Sequence, residues 1–177
     1  GVIVVDAPPL FGDKIVKAIA EVTKEPVTHL IYSHAHADHI TGSHHFPAGI
    51  EIIASEYIAR EIKTSKANKR IVPFGTFVGG KPVPLVTKIV KPNQKLKVGT
   101  QEIVFHELPA HHSHSDLAVF LPKHGILMAV DLVWPGWVPF ERLGTTNDVA
   151  AYIAAHESIL KMQWDVMVSG HVGRLAT

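Results

Sequence analysis

His34-Ala35-His36-Ala37-Asp38-His39 follows the apolar run Val27–Tyr32 after a single serine, and it places four metal-ligand side chains within six residues. In an extended segment residues i and i+2 point the same way, so His34 and His36 are placed to grip one cation together. Asp38 and His39 come where the chain turns, and their side chains can address a second cation nearby. The small Ala35 and Ala37 keep bulk out of the site.

One loop cannot supply all the ligands of a two-metal site, so others are expected at the ends of other strands. His112 precedes the apolar run Leu117–Leu121, Asp131 ends Ile126-Leu-Met-Ala-Val130, and His171 ends Val166-Met-Val-Ser-Gly170. Each is a ligand-type side chain at the point where an apolar strand meets a loop, the usual place for function on a sheet scaffold. His111 and His114 crowd the neighbourhood of His112.

The rest of the chain is consistent with an ordinary globular scaffold. Its 177 residues are 46% hydrophobic and 19% charged, which suits one packed domain over residues 1–177 and argues against disorder. Lys+Arg 17 against Asp+Glu 16 leaves a formal charge of +1, so no global field draws in nucleic acid or anionic lipid. No apolar run is long enough to span a membrane. The absence of cysteine excludes disulfides, thiol catalysis and thiolate-bound metal, without fixing the compartment. Histidine is abundant at 13 residues, and it is the commonest metal ligand among side chains.

Periodicity predicts a strand over Val2–Val5, so close to the first residue that further N-terminal strands are expected before it. A helix follows with Ile15, Ala18, Ile19 and Val22 on its apolar face. A third strand covers Glu51–Ala54, and Ser55 caps a helix reaching Lys66. Residues 68–86, with Phe74, Phe77 and several Gly and Pro, read as a loop or substrate flap. Hairpins follow over Lys95–His106 and Leu117–Val130. Asn147 is the expected cap of a helix packing through Val149, Tyr152, Ile153, His156 and Leu160, and a last strand covers Val166–Val168. His29 reads as a satisfied core or edge histidine, and His106, His124 and His156 as solvated. The pattern is α/β.

His34-x-His36-x-Asp38-His39, then His112, Asp131 and Gly170-His171 in this order, resembles the metallo-β-lactamase superfamily across nearly the whole chain. The resemblance implies a four-layer αβ/βα sandwich with a metal site at one edge of the sheets. It implies His34, His36 and His112 as ligands of a first metal and Asp38, His39 and His171 as ligands of a second, with Asp131 bridging. Members of the superfamily show a His-Ser/Thr dipeptide here with an acidic or polar residue four positions after the His, and this resemblance favours His112 over its neighbours, since Ser113 and Asp116 fit. His111 and His114 are then supporting or substrate-facing. The β-lactamases of this superfamily carry Cys or Ser where Asp131 stands, whereas hydrolases of esters, lactones, thioesters and phosphodiesters carry the bridging Asp. The oxygen-reducing branch has Glu where His36 stands.

The cofactor implied is two Zn²⁺ per chain, with Fe or Mn also compatible with imidazole and carboxylate ligands. Such a pair lowers the pKa of a bound water to about 7, and Asp38 is the expected catalytic residue that orients it. The function this implies is hydrolysis of an ester, lactone, thioester or β-lactam-type carbonyl in a small molecule. An alternative is a mononuclear iron enzyme of the persulfide-dioxygenase type, using His34, His112 and Asp131. Nucleic-acid hydrolysis is disfavoured by the near-neutral charge. Trp134, Trp137, His114 and Phe74 are candidate substrate-binding residues, and the oligomeric state is left open.

Overall fold

A computed structural model describes residues 1–68, 77–139, 143, 145–171 and 173–177. The chain forms two compact units, Gly1–Val90 and Lys91–Thr177, and each has its own sheet and hydrophobic cluster. The architecture is mixed α/β. Phe74 lies outside the described residues, as does part of the expected flap.

The first unit contains β1 (Val2–Val5), α1 (Lys14–Val22), β2 (Val27–Ile31), α2 (Ala37–Ile40), β3 (Glu51–Ser55), α3 (Glu56–Ala67) and β4 (Lys88–Val90). The strands lie in the order β1-β2-β3-β4 and every neighbouring pair is parallel. Parallel pairing demands a crossover between successive strands, and the helical segments provide it. The β-branched runs of β1 to β3 suit a sheet covered on its faces. Leu30, Ile52, Ile58 and Ile62 are buried in one cluster with Ile40 from α2. Ser55 Oγ accepts a hydrogen bond from Ile58 N at 3.3 Å, so this residue caps α3 as its type and position predict. α1 departs from expectation: Ile15, Val16 and Ile19 meet the core, while Ala18 is exposed and Val22 is 87% exposed. The apolar stripe is narrower than the sequence period suggests.

The second unit contains β5 (Lys95–Val98), β6 (Gln101–Leu108), β7 (Asp116–Leu121), β8 (Ile126–Met128), α4 (Val149–Leu160), β9 (Val166–Val168) and β10 (Leu175–Ala176). The sheet order is β10-β9-β8-β7-β6-β5, antiparallel throughout except for the parallel pair β8–β9. This arrangement brings the C-terminal ends of β6, β8 and β9 to one edge. The connections holding residues 109–115, 129–148 and 169–174 all begin there.

α4 corrects the sequence reading twice. Its cap is Asp148, whose Oδ1 accepts from Ala151 N at 2.9 Å, rather than Asn147. Its buried residues are Ala155 and Ile159, whereas Val149, Ile153 and Leu160 are exposed. A helix with apolar residues around most of its circumference gives periodicity little to choose between faces. β4 and β10, only three and two residues long, were not expected from the sequence.

Candidate metal centre

In the first unit the chemistry lies just past the C-terminal ends of β1 and β2, where parallel α/β sheets carry their ligand sites. β2 ends at Ile31 and the chain bends at Ser33 and His34, so the His34–His36 segment is not the regular extended strand expected. The two rings nevertheless meet edge to face with centroids 4.5 Å apart, and the His34 and His39 rings are 4.4 Å apart. His36 sits at the N-cap of α2, Asp38 in its first turn and His39 in its last.

Asp6 organises this cluster, a role the sequence analysis did not assign. It is 3% exposed and holds a left-handed backbone, φ 60°. Its Oδ1 accepts from Ser33 N at 2.8 Å, and its Oδ2 accepts from Ser33 Oγ at 2.6 Å. Having given its proton to Asp6, the Ser33 oxygen accepts from His34 Nδ1–H at 2.9 Å, which puts the His34 lone pair on Nε2. His39 Nδ1 stands 3.3 Å from Asp6 Oδ2, which likewise makes Nε2 its ligand atom. Carboxylate anchoring of the far imidazole nitrogen is how metal-binding histidines are held. The ligand atoms of Asp6, His34 and His39 lie within 4.8 Å of one another. Both Asp6 oxygens are engaged by Ser33, so Asp6 serves as a buttress. His39 Nε2 and Asp38 Oδ2 are 3.4 Å apart.

In the second unit three side chains converge at the sheet edge. Asp131 is 2% exposed, with His112 Nε2 3.1 Å from its Oδ2 and His171 Nε2 3.3 Å from its Oδ1. Ligand atoms each about 2.0–2.1 Å from a tetrahedral zinc stand roughly 3.4 Å apart, so these spacings suit pairs that share a cation. Asp131 and His171 adopt φ 57° and 59°, the strained region that clusters at functional sites. A Cβ on Gly170 would fall on Asp131 Oδ1, so only glycine lets the β9 connection approach this close. Thr145 Oγ1 lies 3.3 Å from His112 Nδ1.

Among the neighbouring histidines, His111 is buried, its Nδ1 2.9 Å from Pro109 O and 3.4 Å from Asp116 Oδ2. Burial pushes its pKa down and keeps the ring neutral. Asp116 accepts from Ser113 N and Oγ, each at 3.0 Å, and so pins the loop that carries His112. His114 is exposed. Trp134 is 4% exposed, whereas Trp137 is 64% exposed. His29 is satisfied by Thr28 Oγ1 at 2.7 Å and Glu51 Oε2 at 3.5 Å. His106 and His156 are half-buried rather than solvated, and His124 is exposed, bonded to Gln101.

The donor set of imidazoles and carboxylates, without thiolate, fits Zn²⁺, Fe or Mn. The family described as the metallo-beta-lactamase superfamily matches residues 1–171. A search of the curated proteins finds no match. Among solved structures, a metallo-beta-lactamase from Pontibacter korlensis aligns with TM-score 0.73 and 19% identity over 99% of this chain and 76% of that one. Metallo-beta-lactamase IND-7 aligns with TM-score 0.75 and 19% identity over 97% of this chain and 74% of that one. A stereoselective inverting sec-alkylsulfatase from Pseudomonas sp. gives TM-score 0.71 and 18% identity over 97% of this chain and 34% of that one. At such identities the likeness is one of fold.

Proposed function

This chain belongs to the metallo-β-lactamase superfamily, and on that premise we propose that it is a metal-dependent hydrolase of a small-molecule carbonyl compound. The bond cleaved is an ester, lactone, thioester or β-lactam-type amide. The observation that supports this most strongly is Asp131, which meets a different histidine on each carboxylate oxygen. A carboxylate shared between two cations needs this arrangement.

In this reading His34, His36, His112 and Asp131 hold one divalent ion, and Asp38, His39, His171 and Asp131 hold the other. When bound, two zinc ions would polarise the substrate carbonyl and bring the pKa of a water close to neutrality. The chain's own residues do the remainder. Asp6 and Ser33 keep the lone pairs of His34 and His39 on Nε2, so neither ring spends free energy on reorientation. Asp38 orients the attacking water and takes its proton on a carboxylate oxygen, then returns it to the leaving group. No serine or cysteine nucleophile is required.

The test is to prepare His36→Ala and Asp38→Ala, verify folding by circular dichroism, and assay ester, lactone, thioester and β-lactam panels. Turnover by the wild type should fall to background in both variants. Undiminished turnover in both would refute the scheme.

A further inference from the structure

The imidazole of His112 is met at both ring nitrogens. Nε2 lies 3.1 Å from Asp131 Oδ2, and Nδ1 lies 3.3 Å from Thr145 Oγ1. When Nε2 serves as the ligand atom, Nδ1 carries the ring proton and donates it to the threonine oxygen. Asp116 pins the loop under His112 through Ser113, but that contact holds backbone and does not set the rotation of the ring. A partner on the far nitrogen is what orients a ligating imidazole.

Thr145 offers its hydroxyl from an unfavourable backbone. Its φ is 69°, a left-handed conformation that a β-branched residue adopts only where its surroundings impose it. The next residues impose it. Thr146 is 8% exposed, and its Oγ1 donates to Asp148 O at 3.1 Å and accepts from Asp148 N at 3.2 Å, while Asp148 caps α4. The start of α4 thus fixes the chain just after Thr145. The Thr145 side chain is exposed, so burial of its own surface does not offset the strain. Among the described residues, His112 is the partner of its hydroxyl. We propose that Thr145 is a positioning residue for the metal centre, kept in a strained conformation because its hydroxyl there holds the His112 ring with Nε2 toward the cation. This rests on the reading of His112 as a metal ligand.

The experiment measures zinc affinity by competition with a chromogenic chelator, and the urea midpoint of the metal-free protein, for wild type, Thr145→Val, Thr145→Ser, Thr145→Gly and His112→Ala. Thr145→Val keeps the shape and the strain but loses the hydroxyl. It should bind zinc about 10–100-fold more weakly with a midpoint close to wild type. Thr145→Ser keeps the hydroxyl and should bind zinc nearly as the wild type does. Thr145→Gly removes hydroxyl and strain together, so it should bind zinc as weakly as Thr145→Val while its metal-free form unfolds at higher urea. A side chain with a purely structural role would move affinity and stability in the same direction. Wild-type affinity in Thr145→Val, with His112→Ala weakened, overturns the proposal alone. Wild-type affinity in His112→Ala overturns the ligand reading and the proposal with it. Thr145→Ser as weak as Thr145→Val, or Thr145→Gly no more stable than wild type, also overturns the proposal.

Discussion

Asp6 governs the orientation of His34 through Ser33 and of His39 directly, so one carboxylate stabilises two ligand tautomers. Asp6→Asn and Ser33→Ala should each weaken metal binding by about 10–100-fold, measured by competition with a chromogenic chelator. Unchanged affinity would mean these bonds hold only the backbone. Gly170→Ala places a methyl on Asp131 Oδ1, and metal content should drop while the secondary structure persists; full metal loading in that variant would contradict the close-approach argument. The residues from His34 to His39 were legible because they crowd into one short stretch, and Asp131 because a carboxylate ends an apolar run. Asp6 ends the run Val2–Val5 in the same manner. Its role was hidden because it depends on Ser33, 27 residues away and adjacent only through the parallel pairing of β1 with β2. The preference for His112 over His111 rests on the resemblance; in the structure His111 Nδ1 lies against Pro109 O and Asp116 Oδ2, while His112 Nε2 lies 3.1 Å from Asp131 Oδ2.

The strands β1, β2, β3 and β9 were readable because β-branched runs bounded by polar or turn residues leave little choice of structure. α4 was readable as a helix but not in its orientation. Its sequence Val149-Ala-Ala-Tyr-Ile-Ala-Ala-His-Glu-Ser-Ile-Leu160 is apolar on most sides, so the packed face is decided by the sheet rather than by the pattern. Asp148→Ala should cost about 1 kcal/mol of stability in urea unfolding, and Asn147→Ala should stay within about 0.5 kcal/mol. The reverse order would restore Asn147 as the cap. On the same helix Ile159→Ala should cost about 2–5 kcal/mol, because Ile159 is 2% exposed, whereas Ile153→Ala at 53% exposure should cost far less. Equal costs would place the packed face wrongly.

Over the whole molecule, the fold is shared with solved structures at 18–19% identity, so the architecture is carried by burial pattern and strand order rather than by particular core residues. Stability should also depend on pH through a half-buried imidazole outside the centre. Burial lowers the pKa of His106, so the folded state resists its protonation. That contribution is present above the unfolded value of about 6.5 and is lost as pH falls below it. Between pH 7.5 and 5.5 the metal-free wild type should therefore lose more of its urea midpoint than His106→Gln; equal losses would show that the ring titrates freely. The central claim is that histidines and aspartates distant in sequence hold two cations with Asp131 between them. It is tested most directly by elemental analysis of purified wild type, His36→Ala, His39→Ala and Asp131→Ala, each verified as folded. The account predicts two divalent ions per chain in the wild type, about one in each histidine variant and close to none in Asp131→Ala. A single iron per chain that is indifferent to His39→Ala, or a full metal complement in Asp131→Ala, would contradict it.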